Sequence, residues 1–98
     1  MFGLIGRIRT HPGRREELVK VLLSSTGAMP GCLSYVVARD IADADALWVT
    51  EVWTDEAAHK ASLSLPDVQA AIAVGRPLIA AFDSHTRTEP VGGAGLPG

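Results

Sequence analysis

Three segments of the chain alternate between apolar and polar positions, or between two apolar faces, as β-strands do. The first strand is predicted over 2–9, the second over 32–40 and the third over 46–53. In the first, Phe2, Leu4 and Ile8 fall on one face, and Ile5, Arg7 and Arg9 fall on the other. The short acidic link between the second and third strands predicts an antiparallel hairpin.

Helical spacing separates the first strand from the second. Leu18, Val21 and Leu22 predict a helix over about 13–26. Pro12 suits the first helical turn, and Gly27 is a plausible C-terminal stop.

Two further helices are predicted after the third strand. Thr54 is a suitable N-cap for a short helix over about 55–64, because acidic residues follow it in the first turn. Pro66 then opens another helix, which Pro77 should kink or end near Gly75 and Arg76.

A polar, threonine-rich segment over 83–91 predicts the last strand, and the Gly/Pro-rich tail 92–98 is expected to be flexible and dispensable for folding. The order of elements is β-α-β-β-α-β with a split second helix. It predicts a ferredoxin-like α+β fold, with one domain over 1–91.

The second and third strands are apolar on both faces. Tyr35 shares a face with Leu33 and Val37 in the second strand, and in the third strand Trp48 and Val52 lie opposite Leu47, Val49 and Trp53. Strands of this kind are buried on both sides. Since the helices of one chain can cover one face, we expect the sheet of a second copy to cover the other, which predicts a homodimer.

Composition narrows the function classes. The chain has 98 residues, is 47% hydrophobic and carries a net charge of −2, so a nucleic-acid partner is not expected. No apolar run reaches membrane-spanning length, and a single cysteine, Cys32, favours a reducing cytoplasm. The histidines His11, His59 and His85 have no metal-ligand spacing, and no phosphate-binding glycine motif is present, so neither a metal nor another cofactor is predicted.

Three stretches together resemble the antibiotic biosynthesis monooxygenase family, whose members form dimeric α/β barrels. They are THPGRREELVKVL, MPGCLSYVV and TEVWTDEAAHKASLSLPDVQAAI, and the resemblance covers roughly 2–90. Family members of known activity oxygenate quinols or polyketide phenols without metal or flavin. Relatives in the same superfamily degrade haem, isomerise small acids or have no known reaction, so the resemblance alone does not define function.

The resemblance maps unevenly onto this chain. Trp53 and Glu51 match the E-x-W pattern, Val49 stands where the polyketide oxygenases carry asparagine, and Ser62 stands where many members carry histidine. His59, three residues before Ser62, could serve the same pocket. Gly6 and Ile72 occupy the positions of the asparagine and axial histidine of haem degraders, so haem degradation is not expected.

Each candidate has a structural alternative. Ala57, Ala58, Ala61 and Leu65 are predicted to form the buried face of the short helix, with Ser62 beside that face and His59 further round. His59 is therefore either a general base or a half-exposed surface histidine. One of the two tryptophans is expected to line a pocket, and Tyr35 could hydrogen-bond an anionic ring oxygen or be a core residue.

Two functional hypotheses remain open at this point: a cofactor-free oxygenase of a quinol, phenol or polyketide-like aromatic, and a non-catalytic dimer that binds a small hydrophobic ligand. The catalytic candidates are His59, Ser62 and Tyr35. The substrate-binding candidates are Trp53, Trp48, Val49, Ile72 and Arg76.

Overall fold

The computed structural model describes residues 1–25 and 29–97. The elements are, in chain order, β1 (Phe2–Thr10), α1 (Arg15–Ser24), β2 (Cys32–Arg39), β3 (Ala46–Trp53), α2 (Glu56–Ser62), α3 (Pro66–Gly75), a 3₁₀ turn (Arg76–Leu78) and β4 (Ile79–Thr88). The predicted stop of α1 at Gly27 lies outside the described residues.

The four strands form one antiparallel sheet in the order β2-β3-β1-β4. The predicted hairpin is present, because β2 and β3 are sequential and paired. This order and the positions of the helices confirm the predicted ferredoxin-like α+β fold.

The core lies between one face of the sheet and the helices. The inner face buries Leu4 and Ile8 from β1 and Leu47, Val49 and Trp53 from β3. Leu18 of α1 and Leu78 of the 3₁₀ turn pack against this face. The period-two alternation in the sequence had grouped these residues on common faces, and the structure shows which face of β3 the helices cover.

The opposite, outer face of the sheet mixes apolar side chains with charged ones. Arg7 forms ion pairs with Asp40, Asp43 and Asp83. The indole N–H of Trp48 donates to Asp40 at 2.9 Å. This bond, backbone N–H groups and Arg7 lower the pKa of the Asp40 carboxyl to about 2.

Two predicted boundaries were wrong. β4 begins at Ile79, four residues before the predicted start, because its first residues pair with the end of β1. Asp55 rather than Thr54 caps α2, and its carboxylate accepts a hydrogen bond from the N–H of Ala58 at 2.7 Å. A negatively charged carboxylate at this position also interacts favourably with the positive end of the helix dipole, whereas a threonine hydroxyl carries no charge.

The break in the third helix is confirmed: α3 starts at Pro66 and ends at Gly75, directly before the 3₁₀ turn that contains Pro77. Within the described residues, no helix combines the length and apolar character needed to cross a membrane. Residues 92–97 hold neither helix nor strand, and the flexibility and dispensability of the tail stay predictions.

Leu18 gives a direct test of this core, since its side chain is only 1% exposed. Leu18→Ala should lower the free energy of unfolding by about 2–5 kcal/mol, because it leaves a cavity between α1 and the sheet. Denaturant titration measures the change. The control is Val74→Ala at a 61% exposed position of α3, where a change within about 0.5 kcal/mol is expected. Equal losses in the two variants would contradict the assigned core.

Candidate functional site

A cavity of about 550 Å³ lies between the helices and the inner face of the sheet. Most of its wall is apolar, including Val68, Ala71 and Ile72 of α3. The side chains with polar groups on the wall are Ser25, Tyr35, Glu51, His59, Ser62 and Arg76. A mostly apolar cavity with a few polar groups is the usual form of a small-molecule site.

The structure brings most of the predicted site residues to this cavity. Those on its wall are Tyr35, Trp53, His59, Ser62, Ile72 and Arg76. Val49 does not line it and belongs to the buried core cluster. Trp48 does not line it either, because it lies on the outer face of the sheet with its indole bonded to Asp40. Of the two tryptophans, Trp53 is therefore the one positioned to contact a ligand of this chain's cavity.

The predicted buried face of α2 was wrong for two of its four residues, since Ala58 and Leu65 are partly buried. Ala57 and Ala61 are exposed, whereas Ser62 is only 4% exposed and His59 is half-buried. The His59 ring lies 5.4 Å from the Trp53 ring in an edge-to-face arrangement and 5.7 Å from the Phe2 ring. These aromatic contacts turn His59 toward the sheet, whereas Ala57 and Ala61 face solvent.

Ser62 is buried, and its hydroxyl has a hydrogen-bond partner. Its hydroxyl donates to the carbonyl oxygen of His59 at 2.6 Å, one turn earlier in the helix. A hydrogen bond of this kind removes the cost of burying a hydroxyl. Because its proton is used inside the helix, Ser62 can offer a ligand only its oxygen lone pairs.

Gly31 holds α2 close to the sheet. Its φ of +81° is in the left-handed region, and a Cβ built there would meet the Cβ of Ala58 at 2.6 Å. A residue with a side chain would be strained in its backbone and would also push α2 away. The glycine in the turn before β2 thus allows the close approach of α2, the helix that carries His59.

Glu51 is a site residue that the sequence reasoning did not place in the pocket. The indole N–H of Trp53 donates to its Oε1 at 3.1 Å, and its side chain lines the cavity. Burial raises the pKa of the Glu51 carboxyl, while the Trp53 hydrogen bond and the nearby His59 and His85 oppose that rise. The available signal was the alternation of β3, which puts an acid on the inner face between Val49 and Trp53.

Tyr35 is suited to donate a hydrogen bond in the cavity. Burial, together with the charge of Glu51, raises the pKa of its hydroxyl, so the phenol stays protonated at neutral pH. Among residues 1–25 and 29–97 the hydroxyl has no hydrogen-bond partner, and no fully buried side-chain oxygen or nitrogen there lacks one. The Tyr35 hydroxyl is therefore accessible rather than sealed in the core.

Arg76 begins the 3₁₀ turn before β4, and the first residue of β4 pairs with the end of β1 that is distant from Glu51. In the strand register Leu4 is paired with Glu51 and Thr10 with Ile79. The backbone positions of Glu51 and Ile79 are therefore six β1 residues apart along the sheet. This corresponds to roughly 20 Å along the sheet. Arg76 is exposed and forms no ion pair with any described residue. The wall of the cavity thus carries an acid and a histidine as well as a guanidinium from the segment before β4.

Comparisons with known proteins agree with this fold. The family model described as antibiotic biosynthesis monooxygenase matches residues 1–74. A crystal structure from Chloroflexus aurantiacus, assigned to the same family, is 59% identical, covers 98% of each chain and superposes with a TM-score of 0.95. No curated protein matches the chain.

More distant structures share the fold. One from Deinococcus radiodurans is 24% identical over 100% of both chains, with a TM-score of 0.78. One from Caulobacter crescentus is 23% identical, covers 93% of this chain and 90% of its own, and has a TM-score of 0.83. The family match covers residues 1–74, and the Chloroflexus relative covers 98% of the chain. The chain belongs to the antibiotic biosynthesis monooxygenase family.

Proposed function

We propose that the protein is a cofactor-independent monooxygenase that acts on a phenol, a quinol or a polyketide-like aromatic. The observation that carries the proposal is the position of His59, half-buried on the wall of a largely apolar cavity and in ring contact with Trp53. An imidazole that can accept a proton, placed in an apolar, aromatic-lined site, is what this chemistry requires.

The reaction needs few protein groups. A base removes a phenolic proton, and the electron-rich anion reacts with dioxygen. One oxygen atom enters the substrate and the other leaves as water, with the substrate supplying all four electrons. The cavity excludes water from the reactive intermediate. His59 serves as the base, and the protonated Tyr35 donates a hydrogen bond to the ring oxygen.

The competing function is a non-catalytic dimer that binds a small hydrophobic ligand. Two observations favour it. Val49, at the position of the family's asparagine, is buried in the core, and the hydroxyl of Ser62, at the position of the family's histidine, is bonded within its own helix. An apolar cavity explains ligand binding with no base at all.

The proposed assembly is a cytoplasmic homodimer of this protein in which the outer faces of two sheets meet. The support is the apolar surface left on that face: Val36 is 52% exposed, and Ile5 is also exposed. Side chains of this kind lose contact with water when a second sheet covers them.

Replacing His59 tests the catalytic proposal. His59→Ala should lower turnover by about 10²–10⁴-fold if the imidazole is the general base. His59→Phe should lose activity to the same degree, although it keeps an aromatic ring against Phe2 and Trp53. Oxygen consumption with a panel of quinols and polyphenols provides the rate, and thermal melting of each variant reports its stability.

Lys60→Ala is the matched control, because Lys60 is the exposed neighbour of His59 on α2. It should keep wild-type turnover. Unchanged turnover in folded His59 variants would remove this residue from the mechanism. Tight binding of panel compounds with no oxygen consumption by the wild-type protein would support the ligand-binding function instead.

The dimer is tested by placing a charge on the outer face of the sheet. Sedimentation at micromolar concentration should give the mass of two chains for the wild type. Val36→Lys should give one chain, because it buries an unpaired ammonium at the interface. Val74→Lys, at an exposed position on α3, should stay dimeric. A compact, stable wild-type monomer would contradict the assembly.

A further inference from the structure

We propose that Glu51 is the specificity-determining residue of the cavity: its carboxylate accepts a hydrogen bond from the hydroxyl of a neutral aromatic alcohol. For the substrate class, this rests on the proposed function. It adds the end of the cavity at which a substrate hydroxyl that keeps its proton is held, and the group that holds it.

The two oxygens of Glu51 have different surroundings. Oε1 accepts the indole N–H of Trp53, whose side chain is 1% exposed and fixed in the core. Oε2 has no hydrogen-bond partner in the described part of the chain. Since no fully buried side-chain oxygen there is without a partner, Oε2 is accessible, and the side chain lines the cavity. One oxygen thus anchors the carboxylate, and the other can accept from a ligand.

The bond to Trp53 does not by itself explain why this residue carries a charge. A neutral amide oxygen would accept the same indole N–H without the cost of placing a carboxylate among apolar side chains. That cost is visible in the raised pKa of Glu51, whose largest cause is burial. A carboxylate differs from an amide in offering only acceptors, so it selects a ligand group that donates.

Charged and titratable groups around Glu51 come from several elements. Tyr35 and Cys32 face it from β2, His59 from α2 and His85 from β4. Tyr35 and Cys32 have raised pKa values partly because Glu51 is negative, so both stay protonated when it ionises. His59 and His85 favour the ionised carboxylate. Among the described residues that line the cavity, Glu51 is therefore the only acid, and the protonated Tyr35 hydroxyl lies beside it as a donor.

The selectivity of Glu51 can be measured without any reaction. The probes are 2-naphthol and its methyl ether, which have the same rings but differ in the hydroxyl donor. In anaerobic titrations the wild-type protein should bind the naphthol about tenfold or more tightly than the ether, the size expected for a hydrogen bond to a charged acceptor. Glu51→Gln should remove most of this preference, because it replaces an accepting oxygen with a donating NH₂.

Glu56→Gln is the matched control, since it makes the same chemical change on α2 outside the cavity wall. Its preference for the naphthol should equal that of the wild type. In the wild type the preference should also fall as the pH drops through the pKa of Glu51, whereas in Glu51→Gln it should be independent of pH. A Glu51→Gln protein that keeps the wild-type preference would overturn the proposal.

Stability provides a second readout that does not depend on ligands. Because the folded-state pKa of Glu51 is raised, ionisation destabilises the folded protein as the pH rises from the ordinary glutamate pKa through the folded-state value. Glu51→Gln should therefore melt at a higher temperature than the wild type at neutral pH, and the difference should shrink below about pH 4.5. A lower melting temperature at neutral pH would show that Glu51 stabilises the fold, which contradicts a carboxylate held at a cost for binding.

These outcomes are separable from those of the oxygenase proposal. If no panel compound consumes oxygen but Glu51→Gln removes the preference for the naphthol, the cavity is a hydroxyl-selective binding site. If His59→Ala abolishes turnover while Glu51→Gln leaves the preference intact, the oxygenase stands and the role of Glu51 is rejected.

Discussion

The buried indole of Trp53 is the contact on which both the core and the cavity depend. It ends β3, its N–H holds Glu51 at 3.1 Å, and its ring edge faces His59 at 5.4 Å. One side chain therefore fixes the carboxylate on the strand and the imidazole on the helix. Trp53→Ala would remove core packing, the indole donor and the ring contact together. Its effects on stability and on the cavity could therefore not be separated.

The short helix α2 obtains its position from three specific contacts rather than from an apolar face. Asp55 caps its start, Gly31 lets it approach the sheet, and Ser62 satisfies its own hydroxyl within the last turn. Each feature meets a polar or steric requirement that would otherwise oppose packing here. The result is a helix that presents His59 to the cavity, Ala58 to the Gly31 turn, and Ala57 and Ala61 to solvent.

The two faces of the sheet have different chemistry. The inner face combines a close-packed core with a cavity that contains Glu51 and Tyr35. The outer face combines apolar side chains with Arg7 and its three aspartate partners, one of which also binds Trp48. Charged networks of this type can be part of an interface when every member is paired. Two surfaces with separate roles thus arise from the alternation of side chains along the same strands.

The sequence by itself determined the order of elements and the residues that share each strand face, because period-two patterns and helix-breaking prolines are local signals. It also determined the family, through three characteristic stretches of residues. Tertiary structure decided which way the seven-residue helix α2 faces, since two turns contain too few residues to define an apolar stripe. It also decided that Trp48 lies outside the cavity and that Glu51 lies within it. Both positions depend on partners distant in the chain or across the sheet: Asp40 and Arg7 hold the outer face, and the helices enclose the inner one.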